Sequence, residues 1–385
     1  MKKVILAPDS FKGTLSAMQI CSIMQEEIRS IYPKCRILSI PVADGGEGTV
    51  DSFLQAVKGE KIPLRVKGPY FDEIDSFYGL IDGGRTAVIE MAAAAGLPLA
   101  KARKDPSVTT TYGVGQLMRH ALSKGARNIV IGMGGSCTND GGSGMAAAMG
   151  VEFSNSHGDP FIPVGGTLHK IAKIECARAA QLLQGVKVRA MCDVDNPLHG
   201  ENGAAFVFAP QKGADMEMVR LLDDNLRFYE RSLQRWTGKK DAGALPGSGA
   251  AGGLGAGAYA LFNAQLAPGI DLVLETVKFD DLLSGCDIVF TGEGRLDGQS
   301  LRGKAVTGIA RKAKTKKVPV CAVVGDVLDD GVLPVYEAGV SAIFSTNRLA
   351  VPFSEAKTLA AQNLKFTMKN ILALMKAVDG LQTSI

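Results

Sequence analysis

Val4-Ile5-Leu6-Ala7-Pro8-Asp9-Ser10-Phe11-Lys12-Gly13-Thr14-Leu15-Ser16-Ala17-Met18-Gln19 is the stretch whose reading decides the fold. Its four leading apolar residues read as a buried strand, Pro8 to Gly13 as a loop, and Ser16-Ala-Met-Gln19 as a capping box that opens a helix. Ile20, Ile23, Met24, Ile28 and Ile31 then recur at helical spacing until Tyr32-Pro33 stops the run. A second strand over 36–42 leads into Asp44-Gly45-Gly46-Glu47-Gly48 and a helix over 49–57. Strand, loop, helix and strand in this rhythm predict an α/β protein.

Working outward, the texture changes near Lys61. Runs at 62–66, 76–81 and 86–90 read as successive strands joined by turns such as Asp82-Gly83-Gly84, which predicts mixed sheet. Further strands are expected at 128–133, 186–192, 204–208, 287–291, 318–324 and 342–344, and the longest helices at 215–236 and 354–376. The last three strands resume the opening rhythm. Residues 1–60 together with 285–385 are therefore expected to form one parallel-sheet domain, with residues 61–284 inserted as a second, mixed-sheet domain.

Composition removes several classes of function. Of 385 residues, 46% are hydrophobic and 21% charged, which excludes a disordered chain. The net charge of +4, the absence of a long Lys/Arg run, the 6% aromatic content and a single Trp236 argue against a nucleic-acid partner. No apolar run approaches the ~20 residues of a membrane span, and Val4 to Ala7 is too short for a signal-peptide core, so no membrane partner is expected. Seven scattered cysteines without a C-x-x-C pair fit reduced thiols in a cytoplasmic protein, and four histidines never spaced i,i+4 give no His/Cys metal centre.

The chemistry concentrates where strands end. There stand Asp9-Ser10-Phe11-Lys12-Gly13, Asp44-Gly45-Gly46-Glu47-Gly48, Gly134-Gly135-Ser136-Cys137-Thr138-Asn139-Asp140, Asp193-Val194-Asp195-Asn196 and Gly292-Glu293-Gly294-Arg295-Leu296-Asp297. Open α/β sheets bind ligands beyond the carboxyl ends of their strands. Glycines there let backbone N–H groups approach an anion, and neighbouring carboxylates can hold a divalent cation or accept a proton. Together the loops point to phosphoryl chemistry. Each also has a plainer reading, since an aspartate at such a turn often only caps a helix, as expected for Asp140 and Asp215. Three familiar motifs nearly match. Gly298 to Lys304 has Walker A spacing, but Ala305 replaces the hydroxyl that binds magnesium. Gly247-Ser-Gly249-Ala-Ala-Gly252 has the dinucleotide spacing without a preceding strand. Asp193-Val194-Asp195 has the D-x-D of aspartyl-phosphate phosphatases, with Pro197 where those enzymes prefer Thr or Val.

The same loops carry a family resemblance. Ala7 to Thr14, Pro41 to Thr49, Val88-Ile-Glu-Met-Ala92, Ile131 to Gly142, Cys192 to Leu198, Ala209-Pro-Gln-Lys-Gly213, Gly247 to Gly255 and Thr291 to Asp297 resemble, in order, the motifs of bacterial type-1 glycerate kinases. Cys137 stands where that family is expected to have Ala. The resemblance implies a flavodoxin-like parallel-sheet domain plus an inserted second α/β domain likened to restriction-enzyme cores, with the site in the cleft between them. It also implies transfer of the ATP γ-phosphoryl group to the 2-hydroxyl of D-glycerate. The alternatives are 3-phosphoglycerate formation, a D-x-D phosphatase and a non-catalytic phospho-ligand sensor.

Roles follow from side-chain chemistry. Asp193 is the candidate proton acceptor, and Lys12 the ammonium that meets the substrate carboxylate or the transferred phosphoryl. Ser10, Asp44, Gly45, Gly46 and Arg295 are candidates for substrate binding, the guanidinium as a bidentate clamp. Gly134, Gly135, Ser136, Thr138, Asn139, Asp140 and Lys212 are candidates for cradling ATP phosphates, and Asp44 and Asp195 for holding Mg²⁺. Glu90, at the end of an apolar strand, reads as a buried structural carboxylate. The sequence leaves the oligomeric state and the loop that faces adenine open.

Overall fold

A computed structural model of the chain describes residues 1–42, 45–100, 103–296, 305–328, 332–349 and 351–382. The chain divides into two compact units, residues 1–43 with 270–385, and residues 44–269.

In the first unit five parallel strands lie in the order Ala342–Ser345, Val320–Val324, Ile288–Gly292, Lys3–Pro8, Arg36–Ser39. Val4 pairs with Ile288 on one side and Ile37 on the other. Counted along the chain within the unit, the order is 2-1-3-4-5, the flavodoxin-type doubly wound arrangement. Strands with helices on both faces are covered on both, which is why Val4 to Ala7 is uninterrupted apolar sequence and fully buried. Leu6, Ile20, Met24, Phe290, Val323 and Leu364 share one core. Helix Ala17–Ile31 starts at the predicted box: Gln19 N donates to Ser16 Oγ (3.2 Å) and Ser16 N donates to Gln19 Oε1 (2.9 Å).

The second unit is built on a six-stranded mixed sheet, ordered Gln265–Ala267, Lys187–Met191, Asn128–Gly132, Thr86–Glu90, Glu73–Ile81, Gly59–Lys67. The first four run parallel, and the last two add an antiparallel hairpin. Pro63 is tolerated because its strand lies at the sheet edge. A small antiparallel sheet of Pro160–Phe161, Glu152–Ser154 and Lys173–Glu175, too short to be read from sequence, completes the unit.

Two expectations change. The division falls after residue 43 and at residue 270, not near 60 and 285, because helix Thr49–Ala56 packs on strands Glu73–Ile81 and Thr86–Glu90. The run at 204–208 is a helix, Ala204–Phe208, started at Gly203 and closed by Val207 N donating to Gly203 O (3.1 Å). A five-residue apolar run carries no period that separates strand from helix. Among the described residues, no helix is long and apolar enough to cross a membrane.

Candidate active site

In the first unit the strand order reverses between Lys3–Pro8 and Ile288–Gly292, and the chain beyond those two strands lines a cavity of about 530 Å³. Three loops are lashed together there. Asp9 N donates to Gly292 O (2.8 Å), Gly325 N to Glu293 O (3.1 Å) and Asp326 N to Gly294 O (3.1 Å). Residues 11–15 form a tight turn, with Phe11 N donating to Leu15 O (2.8 Å) and Gly13 at φ +80°, and this turn presents Lys12 at its exposed tip. Ser10, Lys12 and Arg295, expected at the site, all line the cavity. So do Asp9, Glu293 and Asp326, to which the sequence reading gave no role although each stands within two residues of the end of a parallel strand. Arg295 Nε lies 4.0 Å from Asp326 Oδ2, both side chains being about half exposed. Asp297, its expected surface partner, lies outside the described residues, as do residues 298–304 with the Walker-like spacing.

The second unit gathers a different set, also at the carboxyl ends of strands. Gly134 N donates to Gly45 O (2.9 Å), and an added Cβ on Gly134 would stand 2.6 Å from Gly46 Cα. Only glycines allow these two backbones to lie flat on each other. Glu90, buried, receives a hydrogen bond from Val50 N at the start of helix Thr49–Ala56, and burial raises its pKa. The next loop is organised from beneath. Asp140, fully buried, accepts from Thr111 N and Thr111 Oγ1 (both 2.8 Å), Gly142 N (3.1 Å) and Gly144 N (3.3 Å). Its oxygens therefore face inward, and burial raises its pKa despite these donors.

Lys212, 2% exposed, donates to Ser136 Oγ (2.8 Å) and Thr138 O (2.7 Å). Both acceptors are neutral, and no carboxylate among the described residues forms an ion pair with the ammonium. Desolvation lowers its pKa to about 8. Above it Gly135 is exposed with φ +72°. Thr138 and Asn139 are fully buried, and Thr138 Oγ1 and both amide atoms of Asn139 have no hydrogen-bond partner among the described residues.

Asp193 and Asp195 are exposed on the loop after strand Lys187–Met191, and Asp193 Oδ1 accepts from Gly269 N (2.8 Å). Asp44 lies outside the described residues. The glycines of the dinucleotide-like spacing have a steric purpose. Gly249 and Gly252 bring their backbone against Pro197 O and Thr138 O, where no Cβ would fit.

Over residues 4–376 the chain matches the family model described as the glycerate kinase family. The chain belongs to that family. It is 44% identical over 375 residues to a glycerate kinase of Bacillus cereus, covering 97% of this chain and 98% of the relative. It is 40% identical over 374 residues to the glycerate 2-kinase of Escherichia coli, at 97% and 98% coverage. A crystal structure described as a glycerate kinase 2 from Salmonella typhimurium LT2 superposes with a TM-score of 0.86 at 38% identity, covering 98% of this chain and 99% of that one. The chain is accordingly an enzyme of the glycerate kinase family.

Each unit offers its own set of charged and polar groups. The first provides a cavity lined by Lys12, Arg295 and carboxylates, and the second a glycine loop over an ammonium whose hydrogen-bond partners among the described residues are neutral. Among the described residues no group of three or more His, Cys, Asp or Glu side chains shares one potential metal position.

Proposed function

We propose that this member of the glycerate kinase family transfers the γ-phosphoryl group of ATP to the 2-hydroxyl of D-glycerate, giving 2-phospho-D-glycerate and ADP. The observation that carries the reading is Lys212, a buried ammonium with only neutral partners under a glycine-rich strand-end loop. A desolvated cation in that setting is stabilised by an arriving polyanion. The 40% identity to a glycerate 2-kinase supports the 2-hydroxyl as acceptor.

In this reading Gly134, Gly135, Ser136 and Lys212 hold phosphate oxygens, and Asp140 keeps the loop in shape from below by binding Thr111 and the N–H groups of Gly142 and Gly144. Ser10, Lys12 and Arg295 take the anionic groups that enter the first unit's cavity. Asp193 accepts the hydroxyl proton as the glycerate oxygen bonds to the γ-phosphorus and the bond to the ADP oxygen breaks. Asp195, with Asp44, would hold magnesium, which when bound neutralises charge on the phosphates. Seven free cysteines support a reducing, cytoplasmic setting.

A ³¹P NMR time course with Mg-ATP and D-glycerate, beside L-glycerate and Asp193→Asn, tests the proposal. A 2-phosphoglycerate signal that is lost in the variant is the expected result. A 3-phosphoglycerate signal overturns the regiochemistry, and no monoester signal from the wild type overturns the function.

A further inference from the structure

The cavity of the first unit is larger than its polar rim requires. At about 530 Å³ it is in the range that encloses a drug-sized ligand, so a three-carbon acid fills only a small part of it. The lining contributed by residues 351–363 is largely apolar, with Val351, Phe353, Ala356 and Ala360, and also carries Lys357. Phe353 is 65% exposed, and its ring edge lies 3.7 Å from the Cβ position of Gly13, so one ring face is available at the turn that presents Lys12.

Within that wall sits one amide. Asn363, on helix Ala360–Gln382, lines the cavity and is only 7% exposed, yet it has no hydrogen-bond partner among the described residues. Its amide atoms are not among the buried unpartnered ones, so they are accessible from the cavity and open to a ligand there. It offers a donor and an acceptor side by side, the pattern that pairs with the amino group and ring nitrogen of adenine. Glycerate has no group that would place an aromatic surface on Phe353 while meeting both amide atoms.

We propose that the apolar end of this cavity binds the adenine ring of the nucleotide, with Asn363 reading its edge and Phe353 stacking on its face. The proposal rests on the reading that ATP is the phosphoryl donor, and it directs Lys12, on the same cavity, toward the transferred phosphoryl instead of the glycerate carboxylate.

Calorimetric titration of the full chain with ADP and, separately, with inorganic triphosphate distinguishes base recognition from phosphate recognition. Asn363→Ala is expected to weaken ADP about tenfold, as loss of a hydrogen-bonded amide would. Phe353→Ala, at an exposed side chain that does not endanger folding, is expected to weaken it about fivefold or more. Triphosphate affinity should stay within twofold in both. ADP affinity unchanged in both variants, ADP and triphosphate weakened alike, or no ADP binding by the wild type would each overturn the proposal. ADP binding that depends on Asn363 and Phe353, without phosphorylation of D-glycerate, would keep it and sink the kinase reading. Turnover with an unaltered KM for ATP in both variants would do the reverse.

Discussion

Lys212 shows how much one residue can commit. Its ammonium is held by two neutral oxygens in a desolvated pocket, and its pKa is lowered to about 8. In the unfolded chain a lysine titrates near 10.4. Between these values the unfolded state binds more protons, so stability rises with pH across roughly 8 to 10.5, and the penalty is complete below 8. We expect wild-type stability to gain up to roughly 3 kcal/mol relative to Lys212→Met over that window. Urea unfolding of both proteins at pH 7.5 and pH 10 checks it, and equal differences at the two values would count against the assignment. Lys212 was legible in the sequence because it sits in a short Pro-Gln-Lys-Gly segment among the family-like motifs. Asn363 was not. It lies in the first turn of its helix with no spacing around it to mark it, and only its place on the cavity lining gives it meaning.

Elements divide along the same line between pattern and packing. The parallel strands could be read because burial on both faces writes them as continuous apolar runs, whereas Ala204–Phe208 shares that composition and is helical. Glycines were visible but not their purposes. The segment at 251–253 runs through three successive left-handed residues, Ala251 at φ +54°, Gly252 at +68° and Gly253 at +89°. An added Cβ at Gly252 would collide with Thr138 O and stand 2.6 Å from Asn139 Cα, both backbone atoms that no rotamer change can move. At Gly48, with φ +85°, nothing lies within 4 Å of the same position. Gly252→Ala is therefore expected to cost about 3 kcal/mol or more, and Gly48→Ala only the ~1–2 kcal/mol of a left-handed alanine. Thermal unfolding of the two variants should rank them in that order, and equal losses would show that the contact with Thr138 is not what decides.

At the scale of the whole molecule, each unit has its own core. Ile89, Ile131, Leu226 and Leu254 belong to one cluster, while Val4, Phe290, Val323 and Leu364 belong to another. An insertion could be foreseen because the last three strands return to the opening rhythm. Its borders could not, since a helix at 49–56 carries no mark of which sheet it will cover. Because residues 44–269 are continuous in sequence and hold a complete core, that fragment is expected to fold alone. Trp236, the only tryptophan, lies in helix Met216–Thr237 of this unit, so its fluorescence reports on the fragment directly. A single cooperative urea transition is the expected result, and a featureless drift would refute it.

The pairing of Val4 with Ile288 also sets an order of events during synthesis. The strand Lys3–Pro8 is made well before its neighbour Ile288–Gly292, which appears only after all of residues 44–269 have been made. At about 5–20 residues per second the delay is on the order of tens of seconds. Through that interval Val4 to Ala7 remains a short sticky ribbon with one edge unpaired, while the intervening unit can already collapse around its own core. The strand Lys3–Pro8 is thus a part of the nascent chain that needs protection while it waits, although it becomes an interior strand of the finished sheet.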